Sequence, residues 1–287
     1  MQALILITND DGYQASGIQA LASAVASFAD VYVVAPDGPR SGTACAITCT
    51  TPVTFSPVSP QQPSARPNGT LDPSSARPLV ASTPRRTLSP QPHWYACSGT
   101  PVDCVKLALE QILPRRPDLI LSGINHGDNA SISAHYSGTI GAVFEGCMKG
   151  IPSVGVSLYL KRGQRYEDFP VGSDTLIALT RLCQRIVESG LPEDVCLNIN
   201  LPTAHAFRGW QVCRQARGAW SAEWVSATHP FGQRAFWLTG TFTDLEPEAE
   251  DTDFSALRAG YCSIVPLHVD LTAHEAKKRI ESLISTT

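Results

Sequence analysis

The stretch ILITNDDGYQASGIQAL, Ile5–Leu21, decides how the rest of the chain is read. It passes from an apolar segment, through two adjacent carboxylates and a glycine, into residues of helical spacing. ALILIT (Ala3–Thr8) is a continuous apolar run of strand length, the pattern of a strand covered on both faces. Beyond the glycine, Ile18, Leu21, Ala22 and Val25 fall at i, i+3, i+4 and i+7, one face of a helix. Ser16 and Gln19 stand at the separation of a capping box, so a helix starting at Gly17 is expected. VYVVA (Val31–Ala35) is a second apolar strand and completes a β-α-β unit, which belongs in a parallel sheet with a right-handed crossover. Asp10 and Asp11 sit between the first strand and its helix. They are either a solvent-facing turn, which Asp and Gly favour for local reasons, or a metal site.

The alternation recurs downstream. Thr100, Pro101 and Asp103 read as N-cap, N1 and N3 of a helix running to about Leu113. DLILSG (Asp118–Gly123) is a further buried strand. Ile140, Val143, Phe144, Cys147 and Met148 mark one helical face, ended by Gly150 in the C′ position. VGVSL (Val154–Leu158) and VCLNI (Val195–Ile199) are strands flanking a helix over about Asp174–Glu188. This alternation is that of an α/β doubly wound domain with a mostly parallel sheet, placed over residues 1–200.

Two regions break the pattern. Residues 51–92 hold ten prolines, with Arg66, Arg77, Arg85 and Arg86 against the single acid Asp72. No periodicity survives there, and the segment reads as an inserted, extended loop. Residues 201–287 lose the βα alternation and are rich in Trp, Gly and acids. They read as an irregular extension closed by a terminal helix, with Thr272 and Glu275 as its capping box and Ile280, Leu283 and Ile284 as its apolar face. The aromatics Trp210, Trp220, Trp224, Phe231, Phe236 and Trp237 look exposed and suit a surface where subunits meet.

The whole chain has 287 residues, is 43% hydrophobic and 17% charged, and carries a net charge of −4. Mild acidity argues against a duplex nucleic-acid partner or a membrane surface, both of which call for a basic face. No apolar run approaches the roughly 18 residues that span a bilayer, and the N-terminal run reads as a strand and not as a signal peptide. The nine cysteines are odd in number and contain no CxxC pair, so reduced core thiols and a cytoplasmic location are expected.

In open α/β sheets, ligands bind beyond the carboxyl ends of the strands. Here those ends carry NDDG (Asn9–Gly12), APDGPRSG with Arg40 and Ser41, and SGINHGDN with Asn125 and Asn129. Past the end of its strand, and with Gly12 to turn the chain, the Asp10–Asp11 pair can converge on one point. Two carboxylates that close need a cation between them or a proton on one. Asp10, Asp11, the Ser41 hydroxyl and the Asn125 amide oxygen form an all-oxygen set, which selects Mg²⁺ or Mn²⁺ over Zn²⁺. Ser137, Gly138 and Thr139 stand at a helix N-terminus, where free N–H groups favour phosphate; a plain N-cap is the alternative. His126 and His135 are read as structural or surface residues, and His268 as a packed histidine of the terminal lobe. The set fits a metal-dependent phosphatase that uses a metal-activated water. An aspartyl-phosphate route through Asp10 and a nucleotide sensor without turnover are the competing readings.

NDDG with GIQAL, VVAPD with RSG, GTPVDCV, SGIN-x-G-x-N, YSGT with FEG, LNIN-L-P and GY-x-SI-x-PLH-x-DLT together resemble the SurE family of metal-dependent 5′/3′-nucleotidases. The blocks fall in order from residue 5 to residue 272. The resemblance implies a three-layer αβα, Rossmann-like fold whose C-terminal extension serves oligomerisation. It implies one divalent metal ion per subunit on Asp10, Asp11, Ser41 and Asn125, with Asn9, Asn129 and the Ser137–Gly138–Thr139 turn around the phosphate. Catalysis then falls to Asp10, Asp11 and Asn9. The implied substrates are nucleoside 5′- and 3′-monophosphates, with polyphosphate as a side substrate, and the implied assembly is a homodimer or homotetramer. Cys45, after RSG, and the long 51–92 segment depart from the family pattern.

Overall fold

Ile5 and Ile7 pack on one side of the first strand and Leu6 on the other, and that alternation sets the layers. The computed structural model describes residues 2–59, 91–160, 164, 166, 171–203, 207–229 and 231–285. The helices are α1 (Ser16–Val25), α2 (Pro101–Leu107), α3 (Gly138–Met148), α4 (Ser173–Ser189), α5 (Asp253–Arg258) and α6 (Lys277–Ile284). The core strands are β1 (Ala3–Thr8), β2 (Ala29–Pro36), β3 (Phe55–Pro57), β4 (His93–Cys97), β5 (Leu119–Asn125), β6 (Ser153–Tyr159) and β7 (Val195–Pro202). The later strands are β8 (Trp210–Val212), β9 (Gly218–Ser221), β10 (Trp224–Thr228), β11 (Arg234–Leu238), β12 (Thr241–Asp244) and β13 (Cys262–His268).

Among the described residues the main sheet runs β3-β4-β2-β1-β5-β6-β7-β13-β8. Strands β4, β2, β1, β5, β6 and β7 are mutually parallel. Taken in chain order they form a doubly wound sheet that switches direction between β1 and β5. Helices α1 and α4 cover one face through Ile18, Leu21, Leu179 and Cys183, and α2 and α3 cover the other through Cys104, Val105 and Ala142. The product is the three-layer α/β fold expected from the alternation. Each fully buried Ile, Leu or Val in these layers contributes about 1.5–3 kcal/mol relative to an exposed one. Seven of the nine cysteines are buried, as expected, while Cys45 and Cys49 are exposed.

Several local readings change. No side chain caps α1: its N-cap is Ala15, and Gln19 instead donates to the Gln14 carbonyl. The capping box of α2 does form, but the helix widens into a π turn over Ala108–Ile112 before Leu113. Met148 is exposed at the end of α3. The terminal helix begins at Lys277, after a 3₁₀ turn, with Ala276 and no side-chain cap, so Thr272 and Glu275 form no capping box. Its apolar residues Ile280, Leu283 and Ile284 are exposed. His268, at the end of β13, is exposed and not packed.

Beyond residue 201 the chain partly returns to the main sheet, because β13 lies antiparallel to β7 and β8 pairs with β13. Trp210, in β8, is half-buried against Phe207 and the core. The β9–β12 and β10–β11 ribbons stand outside that sheet. Most of the proline-rich segment, 60–90, lies outside the described residues. Its flanks meet in an antiparallel pair, Phe55 opposite Cys97 and Pro57 opposite Tyr95, extended by a bond from Val58 N to the Trp94 carbonyl.

Candidate active site at the sheet switch point

The carboxyl ends of β1 and β5 flank the switch point, and the Asn9–Gly12 turn leaves β1 there. Gly12 takes φ +96°, a backbone that a side chain resists, and this closes the turn. Asn9 is fully buried and clamps it: its Nδ2 donates to the Gly12 carbonyl at 3.0 Å, and the Gly12 N–H donates to its Oδ1 at 3.2 Å. Asn9 therefore ties both ends of its amide to the turn, a task the sequence did not suggest, and keeps a second Nδ2 hydrogen for another acceptor.

Asp10 is buried, 5% exposed. Thr139 donates its hydroxyl to Asp10 Oδ1 at 2.7 Å, and Arg40 donates its backbone N–H to the Asp10 carbonyl at 2.7 Å. The second bond brings Ser41, one residue on, beside the Asp10 turn, where Ser41 itself is exposed. The Arg40 guanidinium is turned to Asp37, at 2.7 Å, so it does not neutralise Asp10. Asp11 is half-buried and accepts the His126 backbone N–H on Oδ2 at 3.0 Å. Neither carboxylate joins an ion pair among the described residues. Burial pushes the Asp10 carboxyl up to about 6; the Thr139 hydroxyl opposes the rise and the Asp11 charge adds to it.

Gly138 opens α3 against this pair. A methyl group in place of its hydrogen would stand 2.9 Å from Asp10 Cβ and 3.2 Å from Asp10 Oδ2, so the bare backbone keeps that space open. Ser137 is the N-cap, its Oγ accepting the Ile140 N–H at 3.1 Å. Ser137 caps the helix, while Thr139 and the Gly138 backbone face Asp10. The unshared N–H groups of the first turn and the helix dipole oppose the negative charge gathered there.

Asn125 ends β5, its Nδ2 donating to the Gly127 carbonyl at 2.7 Å, which leaves Oδ1 as an acceptor. Asn129 is buried and belongs to a polar network behind the site. Its Nδ2 donates to Ser157 at 2.7 Å, its N–H to Asn200 Oδ1 at 2.8 Å, and its carbonyl accepts from Asn198 at 2.7 Å. These bonds tie it to β6 and β7. The ring of His126 stacks on Tyr166 at 4.2 Å and accepts the Gly17 N–H, and His135 contacts Gln215.

The structure adds two acids that the sequence reading passed over. Burial pushes Asp128 up to about 6, against the pull of the Ala130 backbone N–H, and the Asp253 charge adds to the rise. Asp253, fully buried, accepts N–H groups from Ser131 at 2.7 Å and Ala216 at 3.1 Å, tying the C-terminal lobe to the turn that precedes α3. Asp128 stood within SGINHGDN and was legible as the acid of a polar strand end; nothing local marked Asp253.

Among the described residues no three His, Cys, Asp or Glu side chains gather as a metal site. The candidate set is two carboxylates with a hydroxyl and an amide oxygen. A buried carboxylate with a like charge beside it, no cationic partner among the described residues and space kept open by Gly138 fits a hard divalent cation.

The family described as Survival protein SurE matches residues 5–222. The 5′-nucleotidase SurE of Phocaeicola vulgatus is 42% identical over 271 residues, covering 94% of this chain and 93% of its own length. That of Bacteroides thetaiotaomicron is 43% identical over 272 residues, covering 94% and 92%. The crystal structure of the SurE protein from Aquifex aeolicus superposes with a TM-score of 0.71 at 31% identity, over 98% of this chain and 99% of that one. Those matches, with the switch-point carboxylates and the doubly wound sheet, place the chain in the SurE family.

Proposed function

We propose that this chain is a metal-dependent phosphomonoesterase that hydrolyses nucleoside 5′- and 3′-monophosphates, with short polyphosphate as a side substrate. The observation that carries the reading is the buried Asp10, paired with Asp11 and facing the N-terminus of α3. One divalent ion per subunit, Mg²⁺ or Mn²⁺, is held by Asp10, Asp11, Ser41 and Asn125. When bound, the ion supplies a Lewis acid that polarises a phosphoryl oxygen and lowers the pKa of water. By donating to Oδ1, Thr139 favours the ionised form of Asp10 against the rise that burial causes. The N–H groups of the Ser137–Gly138–Thr139 turn meet the charge that builds on the equatorial phosphate oxygens. Asp11 keeps Oδ1 for the ion or for a proton, since its Oδ2 is engaged by His126. Asn9 and Asn129 fix the two loops, and the second Nδ2 hydrogen of each is the donor offered to a phosphate.

Residues 201–272 and the exposed face of α6 supply contacts for a homodimer or homotetramer. Unpaired cysteines and an acidic net charge support a cytoplasmic enzyme. Among the described residues no helix is long and apolar enough to cross a membrane. Release of inorganic phosphate from nucleotides in Mn²⁺, abolished by chelator, tests the reading; tight nucleotide binding without release would make the protein a sensor instead.

A further inference from the structure

Beside the α3 N-terminus lies a cavity of about 430 Å³, a size ordinary for small-molecule sites. Its walls include Tyr136, Trp220, Glu223, Trp224 and Leu238. Tyr136 immediately precedes Ser137, the cap of α3, and its carbonyl accepts the Ala44 N–H at 3.2 Å from the loop that carries Ser41. The cavity therefore begins one residue from the turn that packs on Asp10.

The far wall is rigid where it must be. Trp220 meets Phe242 edge-on at 5.4 Å, and Phe242 meets the buried Phe254 at 5.0 Å, so its ring is held from behind. Ser131 fastens this lobe to the turn that carries Tyr136, its Oγ donating to the Ala216 carbonyl at 2.8 Å. In the β10–β11 ribbon, Trp224 stands directly opposite Leu238, and both line the cavity. Their neighbours Val225 and Trp237 also oppose one another, but side chains alternate along a strand, so that pair takes the other face. Trp224 is 64% exposed and Tyr136 60% exposed, leaving their rings open to a ligand.

Among the described residues no Lys or Arg lines the cavity, which does not favour a second phosphate there. Aromatic faces with one carboxylate suit a flat, uncharged ring that carries N–H donors. We infer that this cavity receives the base of the nucleotide whose phosphate lies at Asp10 and the α3 N-terminus. Tyr136 and Trp224 are the stacking surfaces, and Glu223 accepts from a base amino or ring N–H group. The inference rests on the nucleotidase reading and adds to it a base subsite, and with it a preference for nucleotides over sugar phosphates.

The test compares kcat/KM for adenosine 5′-monophosphate and for ribose 5-phosphate, the same ester without a base, on the full chain in Mn²⁺. The wild type should prefer the nucleotide by about tenfold or more. Trp224→Ala and Tyr136→Ala should each cut that preference at least about fivefold, mainly through KM, as expected for loss of base stacking. Trp224→Phe should keep most of it, which separates stacking from misfolding. In a second measurement, adenosine alone, without metal, should quench tryptophan fluorescence in the wild type and much less in Trp224→Ala. If neither phosphate ester is hydrolysed, the nucleotidase reading fails and the base subsite with it. If both are hydrolysed equally, or both fall together in the variants, the phosphatase stands and the base subsite is overturned. The base subsite is also overturned if Trp224→Ala changes subunit association and leaves the preference intact, since the cavity then belongs to a second copy of the chain.

Discussion

Thr139 donates its hydroxyl to Asp10 across 129 residues of sequence, at 2.7 Å and fully out of solvent. That bond joins the end of the first strand to the first turn of α3, and it opposes the burial that raises Asp10. Thr139→Val removes it with little change of shape. A hydrogen bond to a charged group is worth about 1.5–3 kcal/mol, so turnover should fall by roughly tenfold or more. The acid limb of the pH–rate profile should also move to higher pH, because Asp10 then holds its proton more tightly. Thr139→Ser keeps the donor and should keep most of the activity. Wild-type kinetics in Thr139→Val would remove the bond from the account.

Asp10→Asn and Asp11→Asn each take one negative charge from the proposed cation site. Each should lower turnover by at least about 100-fold, and chelation should silence the wild type until Mn²⁺ or Mg²⁺ is restored. Cation-induced stabilisation against heat should likewise shrink in both variants. Full turnover in excess chelator would sink the scheme.

Asp128 gives a prediction that needs no substrate. Its folded pKa, about 6, lies above the ordinary carboxylate value of 3.8. Well below pH 3.8 both folded and unfolded states hold the proton, so the residue costs nothing. As pH rises from 3.8 to about 6 the unfolded chain ionises first and the folded state loses stability, and above 6 the loss is complete. Asp128→Asn keeps an acceptor for the Ala130 N–H and removes the charge. At pH 7.5 the variant should be more stable by about 1 kcal/mol, after allowance for the partial solvent contact of the group. Urea titrations should show that gain vanishing near pH 4. A gain of the same size at both pH values would exclude ionisation as its cause.

The antiparallel pairing of Phe55–Pro57 with Tyr95–Cys97 brings the two flanks of the proline-rich segment together. Replacing residues 60–90 by a short Gly-rich turn should therefore leave the sheet intact and change turnover by less than about tenfold, since loop length costs little closure entropy. Circular dichroism and a melting curve check the fold. A collapsed or aggregated product would show that the segment is needed for folding.

Val225 and Trp237 form an exposed apolar pair on the ribbon face turned away from the base cavity. Exposed aromatics of this kind suit a subunit contact. Val225→Ser with Trp237→Ser should weaken self-association by about tenfold or more in sedimentation, with the fold unchanged. A wild-type chain that sediments as a monomer at micromolar concentration would rule out the contact.

Apolar runs of strand length and helical spacing determined the α/β alternation by themselves, because burial on two faces leaves so plain a pattern in Ala3–Thr8, Val31–Ala35 and Leu119–Leu121. The polar strand ends were legible for the same reason: carboxylates and glycines directly behind a buried strand have few structural uses. What each polar group touches was decided only by the tertiary structure. Asn9 and Asn129 also brace the scaffold, because their amides found partners in a turn and in β6 and β7. Thr139 became the support of Asp10 because α3 lies across the switch point from β1. The Ser16 and Thr272 caps failed because a cap motif is permissive, and the chain entering each helix takes its direction from packing elsewhere. The return of β13 to the sheet was hidden as well, since an antiparallel strand reached after 60 residues carries no local signal of the strand it will join. Local pattern records what a residue must avoid, which is water or strain, whereas its partner is fixed by which distant element folding brings beside it.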